Sequence, residues 1–307
     1  PAALAENPDA CERFLREART AAKLFHPHIV PIHRVDHLGD AVFIAMGFVD
    51  GQSAGQRIVE GGPMPVSQAV RVLRETAWAL SYAHARGVIH RDIKPDNLLL
   101  ERESGRTFVT DFGIAQVEGT SALTRDGQMF GSVSYMSPEQ IAGGAVDGRS
   151  DLYSLGIVAH MLLTGKLPFT HASATAVLAM QLGTPAPPIG SLVPGISPRL
   201  AAAIDRCLAK DPAGRHDSVD AFASALADIE RPKEVAPALR AWVAGTGLVD
   251  MGFWIVLACA FMFVASTGGG WLAFGVPLVY IAIKWMRQTR RLLQMGFGVE
   301  DMRGALG

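Results

Sequence analysis

Apolar residues recur at helical spacing along most of the first 230 positions. The longest such patterns predict helices over residues 67–86 and 150–164, and Gly87 and Gly165 follow them as natural stops. The second of these helices is apolar on nearly every side, which indicates that it is buried. Further helices are predicted over residues 9–25, 198–209 and 217–230. These patterns predict a helix-rich, soluble unit.

Short apolar runs separated by turn residues add a few strands to this unit. Residues 29–35 and 41–49 are two such runs, and residues 38–40 form the turn between them. Shorter apolar bursts predict small strands that alternate with loops, and they lie at residues 88–93, 98–101 and 107–112. The unit is therefore expected to combine many helices with a few short strands.

The composition of the chain changes near residue 231. A short polar linker is followed by 33 residues, Met251 to Ile283, without Asp, Glu, Lys, Arg or His. As a single helix this run would be roughly 50 Å long, whereas the apolar core of a bilayer is about 30 Å thick. Three glycines at residues 268–270 also disfavour an unbroken helix. The run therefore predicts a hairpin of two short membrane spans, near residues 248–267 and 271–286.

Basic residues flank the uncharged run on both sides, namely Arg231, Lys233 and Arg240 before it and Lys284, Arg287, Arg290 and Arg291 after it. Because cytoplasmic flanks are enriched in Lys and Arg, both ends are expected in the cytoplasm, with the chain at the cell membrane. A single span and a buried hairpin of a soluble domain remain the alternatives. The predicted parts are a first domain, a linker, a transmembrane hairpin and a basic cytoplasmic tail, which cover residues 1–230, 231–247, 248–286 and 287–307.

Composition narrows the classes of partner and site. The 307 residues include 28 Lys and Arg against 29 Asp and Glu, so the net charge of −1 does not indicate a nucleic-acid partner. A charged fraction of 19% with 49% hydrophobic residues excludes a disordered chain. The three cysteines, Cys11, Cys207 and Cys259, lie far apart without a CxxC spacing. A disulfide framework or a zinc site is therefore not expected. The protein is expected in a reducing compartment.

Three motifs follow one another in the first domain. They are His90-Arg91-Asp92-Ile93-Lys94-Pro95-Asp96-Asn97, then Asp111-Phe112-Gly113, then Ser137-Pro138-Glu139. Their types and order resemble the catalytic loop, the DFG motif and the APE motif of eukaryotic-type bacterial Ser/Thr protein kinases. The resemblance covers roughly residues 1–230. It implies an α+β, two-lobed protein kinase-like fold with a mostly α C-lobe and a partial β N-lobe, here followed by the membrane hairpin.

The resemblance also implies a chemistry for these residues. Phosphoryl transfer depends mainly on positioning and on neutralising charge. Asp92 would accept the proton of the attacking hydroxyl, and Lys94 would neutralise the γ-phosphate of ATP. Asn97 and Asp111 would supply the oxygen ligands that Mg²⁺ prefers. The expected acceptors are Ser or Thr hydroxyls of protein substrates, because Lys94 occupies a position typical of Ser/Thr kinases.

Further positions match the supporting frame of the family. Glu17 would pair with the ATP-binding lysine, Asp151 would brace the catalytic loop, and Arg215 would pair with Glu139. Met46 takes the gatekeeper position, and Phe48 lies in the hinge that would hold the adenine. Ser132 stands where the loop that receives the residue after the acceptor usually has Thr.

The same frame implies a regulatory site. Arg91 would contact a phosphorylated activation segment, in which Thr124 is the predicted autophosphorylation site and Asp126 stands where a second threonine is common. A homodimer in which one copy phosphorylates the other is compatible with this scheme.

Two departures from the family pattern matter. No Gly-rich loop and no VAIK-type lysine precede Glu17, so the N-lobe is expected to be incomplete and the 307-residue chain by itself nearly inactive. Gly47 stands in the hinge where Glu is usual. A membrane-tethered pseudokinase that acts as a binding or scaffold module is the alternative function, although Asp92, Lys94, Asn97 and Asp111 are all present. A small-molecule phosphotransferase is disfavoured by the Glu139 and Arg215 pair.

Overall fold

The computed structural model describes residues 8–38, 41–112 and 133–230, together with Met286, Arg287 and Arg290. The chain divides into two units, residues 1–230 and 231–307. Within the described residues, no helix has both the length and the apolar character needed to cross a bilayer. Apart from Met286, the hairpin predicted over residues 248–286 lies outside the described residues.

The first unit combines helices with two small antiparallel sheets. The helices are α1 Pro8–Ala21, α2 Ala54–Gly61, α3 Val66–His84, α4 Pro138–Ile141, α5 Gly148–Thr164, α6 Ala174–Gly183, α7 Pro198–Cys207 and α8 Val219–Glu230. The strands are β1 Ile32–Leu38, β2 Ala41–Met46, β3 Gly51–Ser53, β4 Leu98–Glu101 and β5 Thr107–Val109. Short 3₁₀ turns cover Pro95–Asn97, Ile189–Ser191 and Pro212–Gly214.

The long predicted helices agree closely with α3 and α5. Gly87 and Gly165 adopt φ angles of 73° and 70°, the left-handed conformation in which glycine ends a helix without a steric cost. The helix predicted over residues 9–25 ends earlier, at Ala21. Phe25, the last residue of the predicted helix, is 82% exposed, and its backbone N–H donates to the Tyr82 hydroxyl.

Three helices were not predicted from the apolar pattern, namely α2, α4 and α6. The first two each begin with a capping box, in which Ser53 pairs with Gln56 and Ser137 pairs with Gln140. In a capping box the serine side chain accepts from the third helical N–H while the glutamine side chain accepts from the serine N–H. The spacing Ser-x-x-Gln was therefore the available signal for α2 and α4.

Strands β1 and β2 form one sheet, and β3, β4 and β5 form the other in that order. Gly51 pairs with Glu101 where β3 meets β4. A Cβ atom at Gly51 would lie 1.9 Å from the Leu100 carbonyl oxygen, so this close approach requires glycine. Residues 88–93 form no strand, contrary to one reading of their apolar pattern, because side chains rather than a neighbouring strand bind their backbone.

Helix α5 lies at the centre of the core, as its sequence predicts. Leu152, Leu155 and Leu162 on α5 have no exposed area, and neither do Leu73 and Leu80 on α3. Two polar residues of α5, Ser150 and Asp151, are equally buried. Because a buried polar group costs free energy unless it is hydrogen-bonded, both side chains need hydrogen-bond partners within the protein.

Candidate active site

Asp151 of α5 holds the backbone of the loop between α3 and β4. Its Oδ2 accepts from the His90 N–H at 2.9 Å, and its Oδ1 accepts from the Arg91 N–H at 2.8 Å. The His84 side chain, at the end of α3, contacts the same carboxylate at 2.7 Å. Arg91 has a φ of 67°, a conformation that costs about 1–3 kcal/mol for a residue with a side chain. Asp151 therefore maintains a strained backbone at the start of the predicted catalytic loop.

His90 joins this loop to the end of β5. Its Nδ1 accepts from the Asp92 N–H at 3.3 Å, so the proton lies on Nε2, which donates to the Thr110 carbonyl at 2.8 Å. The ring also packs on Phe112, with 4.7 Å between the ring centroids. The segment that carries Asp92 is thereby fixed against the segment that carries Asp111.

Asp92, Lys94 and Asn97 converge at one point. Lys94 Nζ donates to Asp92 Oδ2 at 2.7 Å, and Asn97 Nδ2 donates to the same oxygen at 3.2 Å. Asn97 Nδ2 also donates to the Asp92 carbonyl at 2.7 Å. The side chains of Asp92 and Lys94 are 23% and 19% exposed, so solvent and substrate can reach them. Among the described residues, hydrogen bonds to the Asp92 carboxylate fall on Oδ2, which leaves Oδ1 to accept a proton.

Asn97 and Asp111 are linked through Thr110, whose N–H donates to the Asn97 carbonyl at 3.0 Å. Asp111 is exposed and has a φ of 62°. Because the Asn97 amide nitrogen is bound to Asp92, its Oδ1 is the atom that could bind a cation. The described part of the chain contains no cluster of three or more His, Cys, Asp or Glu with metal-site geometry. A cation here would therefore need further oxygens from a ligand such as a nucleotide phosphate.

A buried ion pair connects α4 to the loop before α8. Arg215 has no exposed area and donates through Nη1 and Nη2 to the two Glu139 carboxylate oxygens, at 2.7 and 2.8 Å. Burial alone would raise the pKa of Glu139, but hydrogen bonds from Arg215 and Ser150 lower it below its ordinary value. Because both guanidinium nitrogens donate to the carboxylate, this bidentate ion pair is stronger than one with a single hydrogen bond. The structure thus brings together the two residues that the sequence analysis paired.

The remaining predicted site residues are spread over the unit. Glu17 is half-buried on α1. Met46 ends β2 and is 39% exposed, and its Sδ accepts from the Thr110 hydroxyl at 3.7 Å. Phe48 is 91% exposed. Ser132 and Thr124 lie outside the described residues.

The unusual hinge glycine has a structural explanation. A Cβ atom at Gly47 would lie 2.9 Å from Pro31 Cγ, and the Gly47 N–H donates to the Pro31 carbonyl at 2.8 Å. The close approach to Pro31 therefore favours glycine at the position where Glu is usual.

Two contacts of the loop were missed by reasoning from the sequence. One is the His84 side chain on Asp151, and the other is Gln140 Nε2, which donates to the Arg91 carbonyl at 2.8 Å. The residues of these two pairs are 67 and 49 positions apart in the sequence, so no local sequence pattern indicates either contact.

Comparison with known proteins agrees with this geometry. The model of the protein kinase domain family matches residues 3–226. Serine/threonine-protein kinase PknJ of Mycobacterium tuberculosis is 44% identical over 231 residues, which are 74% of this chain and 39% of PknJ. Pkn1 of Myxococcus xanthus is 40% identical over 223 residues, which are 71% of this chain and 32% of Pkn1. The chain thus spans less than half the length of these curated relatives.

A solved structure supports the same assignment. The crystal structure of the Mycobacterium tuberculosis PknI kinase domain superposes with a TM-score of 0.60 at 33% identity, over 74% of this chain and 82% of that one. The α+β kinase-like fold predicted for the first unit is therefore confirmed. The chain belongs to the protein kinase domain family, among the eukaryotic-type Ser/Thr protein kinases of bacteria.

Proposed function

We propose that the protein transfers the γ-phosphoryl group of ATP to Ser or Thr hydroxyls of protein substrates. The observation that carries the proposal is the convergence of Lys94 and Asn97 on one oxygen of Asp92, at 2.7 and 3.2 Å. This arrangement orients a half-buried carboxylate and leaves its other oxygen for a substrate proton. Similarity to named Ser/Thr kinases supports the class of acceptor.

Each side chain then has a distinct task. Asp92 accepts the proton of the attacking hydroxyl, and general-base help of this kind contributes about 10²–10⁴-fold to a rate. Lys94 brings a positive charge to the transferring phosphoryl group. The oxygens of Asn97 and Asp111 suit a hard cation, and Mg²⁺ bound there would neutralise charge on the phosphates. Met46 and Phe48 flank the proposed adenine site, and Glu17 would pair with an ATP-binding lysine that is not among the 307 residues.

Metal dependence and an Asp111 variant test this proposal in the full-length protein, here meaning protein with a complete N-lobe, because the 307-residue chain by itself is expected to be nearly inactive. Incubation with ATP, Mg²⁺ and a Ser/Thr acceptor protein is expected to yield phosphoserine or phosphothreonine, identified by mass spectrometry. Chelation of the metal and Asp111→Asn should each abolish the product. Asp220→Asn, the same change at an exposed position on α8, should leave it unchanged. Full transfer by Asp111→Asn would contradict the assigned metal ligand.

We also propose that residues 248–286 attach the protein to the membrane as a hairpin, with the kinase unit in the cytoplasm. The support is the 33-residue uncharged run, its central glycines and the basic residues on both flanks. Reporter fusions after Arg240 and after Arg291 should both report the cytoplasm. Reporters on opposite sides would indicate a single span, and release of the protein by salt alone would exclude any span.

A third proposal concerns regulation by phosphorylation of Thr124. Arg91 Nε is buried and has no hydrogen-bond partner among the described residues, so a guanidinium atom beside Asp92 remains able to bind an anion. A phosphate adds about −1.5 to −2 charge and three acceptor oxygens, enough to pair with an arginine and order a segment. Asp126 would supply part of that charge constitutively.

Two experiments test this regulatory proposal. Wild-type protein should phosphorylate Thr124 of an inactive Asp111→Asn copy, as expected if homodimers act in trans. Thr124→Ala should also lower kcat. An unmodified Thr124 in fully active protein would refute the switch.

A further inference from the structure

A chain of side-chain hydrogen bonds runs from the loop after α7 to the backbone just before α4. Lys210 Nζ donates to the Tyr153 hydroxyl at 2.9 Å, and that hydroxyl donates to Gln181 Oε1. Gln181 Nε2 then donates to the Ser134 carbonyl at 2.6 Å. Tyr153 and Gln181 have no exposed area. Side chains from two helices and a loop thus act on one backbone carbonyl of the segment at residues 133–136.

The hydrogen bonds that link Lys210 to the Ser134 carbonyl can run in only one consistent direction. A lysine ammonium group has donors and no acceptor, so the Tyr153 oxygen must accept from Lys210. The single Tyr153 proton is then available for Gln181 Oε1, and the Gln181 amide nitrogen faces Ser134. Burial, with the nearby Arg215 charge, lowers the pKa of Lys210 to about 8, so the amine remains largely protonated at neutral pH. The orientation of the Gln181 amide is therefore determined by its neighbours and not by solvent.

The next carbonyl of the same segment is held as well. Ser154 of α5 donates its hydroxyl proton to the Tyr135 carbonyl at 2.7 Å. Two consecutive carbonyls, those of Ser134 and Tyr135, are thus fixed from α6 and α5. Buried hydrogen bonds of this kind fix a backbone more firmly than packing alone, because breaking one leaves a desolvated polar group.

This fixed segment lies beside the catalytic loop. The charge of Asp96, which lies within the loop, adds to burial in raising the pKa of Tyr135. Gln140, which follows the segment on α4, donates to the Arg91 carbonyl at 2.8 Å, next to Asp92. Residues 133–136 therefore lie close to the loop that carries Asp92, where a protein acceptor would bring its hydroxyl.

We propose that Gln181 is a positioning residue for the protein substrate, because it fixes the backbone of residues 133–136 against which the acceptor segment binds. The inference rests on the proposed kinase function. Gln181 acts through the Ser134 carbonyl, and Tyr153 and Lys210 in turn orient Gln181. Its effect should therefore appear in binding of the protein acceptor and not in binding of ATP.

Steady-state kinetics of the full-length protein test this division. Gln181→Leu is expected to raise KM for an acceptor peptide about three- to tenfold, the equivalent of one hydrogen bond, with KM for ATP changed less than about twofold. In Gln181→Glu the ionised side chain keeps an acceptor for Tyr153 but has no proton for Ser134, so at a pH where it is ionised this variant should behave like Gln181→Leu. Tyr153→Phe should give a smaller increase. Leu182→Gln, on the exposed face of α6, is the matched control.

Hydrogen exchange provides a readout that does not depend on activity. Amides of residues 133–136 should exchange faster in Gln181→Leu and Tyr153→Phe than in wild type and Leu182→Gln. Unchanged exchange there, or equal increases of KM for the peptide and for ATP, would overturn the inference. If Gln181→Leu fails to fold, Tyr153→Phe decides by the same two readouts. A wild-type protein that phosphorylates no acceptor would refute the proposed function itself, whereas an active wild type matched by its variants would refute only the role of Gln181.

Discussion

Replacing Arg215 by Met should destabilise the folded kinase unit more than any exposed substitution of the same type. The guanidinium makes five hydrogen bonds, two to Glu139 and three to the carbonyls of Arg149, Ala209 and Lys210, at 2.7–3.1 Å. Met fills much of the volume beside Tyr153 but provides no donor. Removing one partner of a buried ion pair costs about 3–5 kcal/mol, and we expect a loss of that size.

Urea-induced unfolding followed by circular dichroism measures this loss. Arg199→Met makes the same change at an exposed position and should alter the free energy of unfolding by no more than about 0.5 kcal/mol. Arg215→Lys should recover only part of the stability, because an ammonium group cannot donate to both carboxylate oxygens in the planar geometry of arginine. If Arg215→Met costs no more than Arg199→Met, the buried pair does not stabilise the fold.

The pH dependence of this loss has a defined sign. The pKa of Glu139 is lowered in the folded protein, so its ionised form contributes stability above the unfolded value of about 4.3. That contribution disappears as the pH falls through the lower, folded value. The difference in the free energy of unfolding between wild type and Arg215→Met should therefore become smaller below roughly pH 4.

Three further predictions concern other positions. Asp151→Ala should lower kcat about 10²-fold, since the strained Arg91 backbone loses its acceptor and Asp92 shifts; unchanged kcat in steady-state assays would argue against this positioning role. Burial lowers the pKa of Lys210 to about 8, so the unfolded chain, with a lysine pKa of about 10.4, binds more protons between these values. The free energy of unfolding of wild type, measured in urea, should therefore increase relative to that of Lys210→Met as the pH rises from about 8 to 10. If the difference between the two proteins stays constant over this range, the pKa of Lys210 is not lowered in the folded protein. Gly51→Ala should cost about 1–3 kcal/mol in the same assay, because its Cβ would overlap the Leu100 carbonyl oxygen, and a neutral effect would show that the strands separate easily.

Much of the first unit was predictable from local sequence. Helices α3 and α5 follow from long apolar periodicity and from the glycines that end them. The residues of the catalytic loop lie within a short stretch, so the meeting of Asp92, Lys94 and Asn97 required only that the loop turn back on itself. The pairing of Glu139 with Arg215, 76 residues apart, came from resemblance to a family and not from any local pattern.

The parts that could not be predicted depend on distant side chains. Residues 88–93 have an apolar pattern that is compatible with a strand, but Asp151 binds their backbone from a helix about 60 residues away. Gln181 carries no sequence signal, because α6 has neither a clear apolar stripe nor a side-chain cap hydrogen bond. Its contact with Ser134 exists only once α5, α6 and the loop after α7 pack together.

The central claim is that Asp92 performs catalysis and does not merely help to bind a nucleotide. Asp92→Asn preserves the size of the side chain and removes its ability to accept a proton, so the most direct measurement pairs nucleotide binding with single-turnover phosphoryl transfer in this variant. Affinity for ATP with Mg²⁺ should change less than about twofold, because general-base catalysis acts on the chemical step, while the transfer rate should fall about 10²–10⁴-fold. Transfer at the wild-type rate by Asp92→Asn would contradict the assignment of Asp92 as the base.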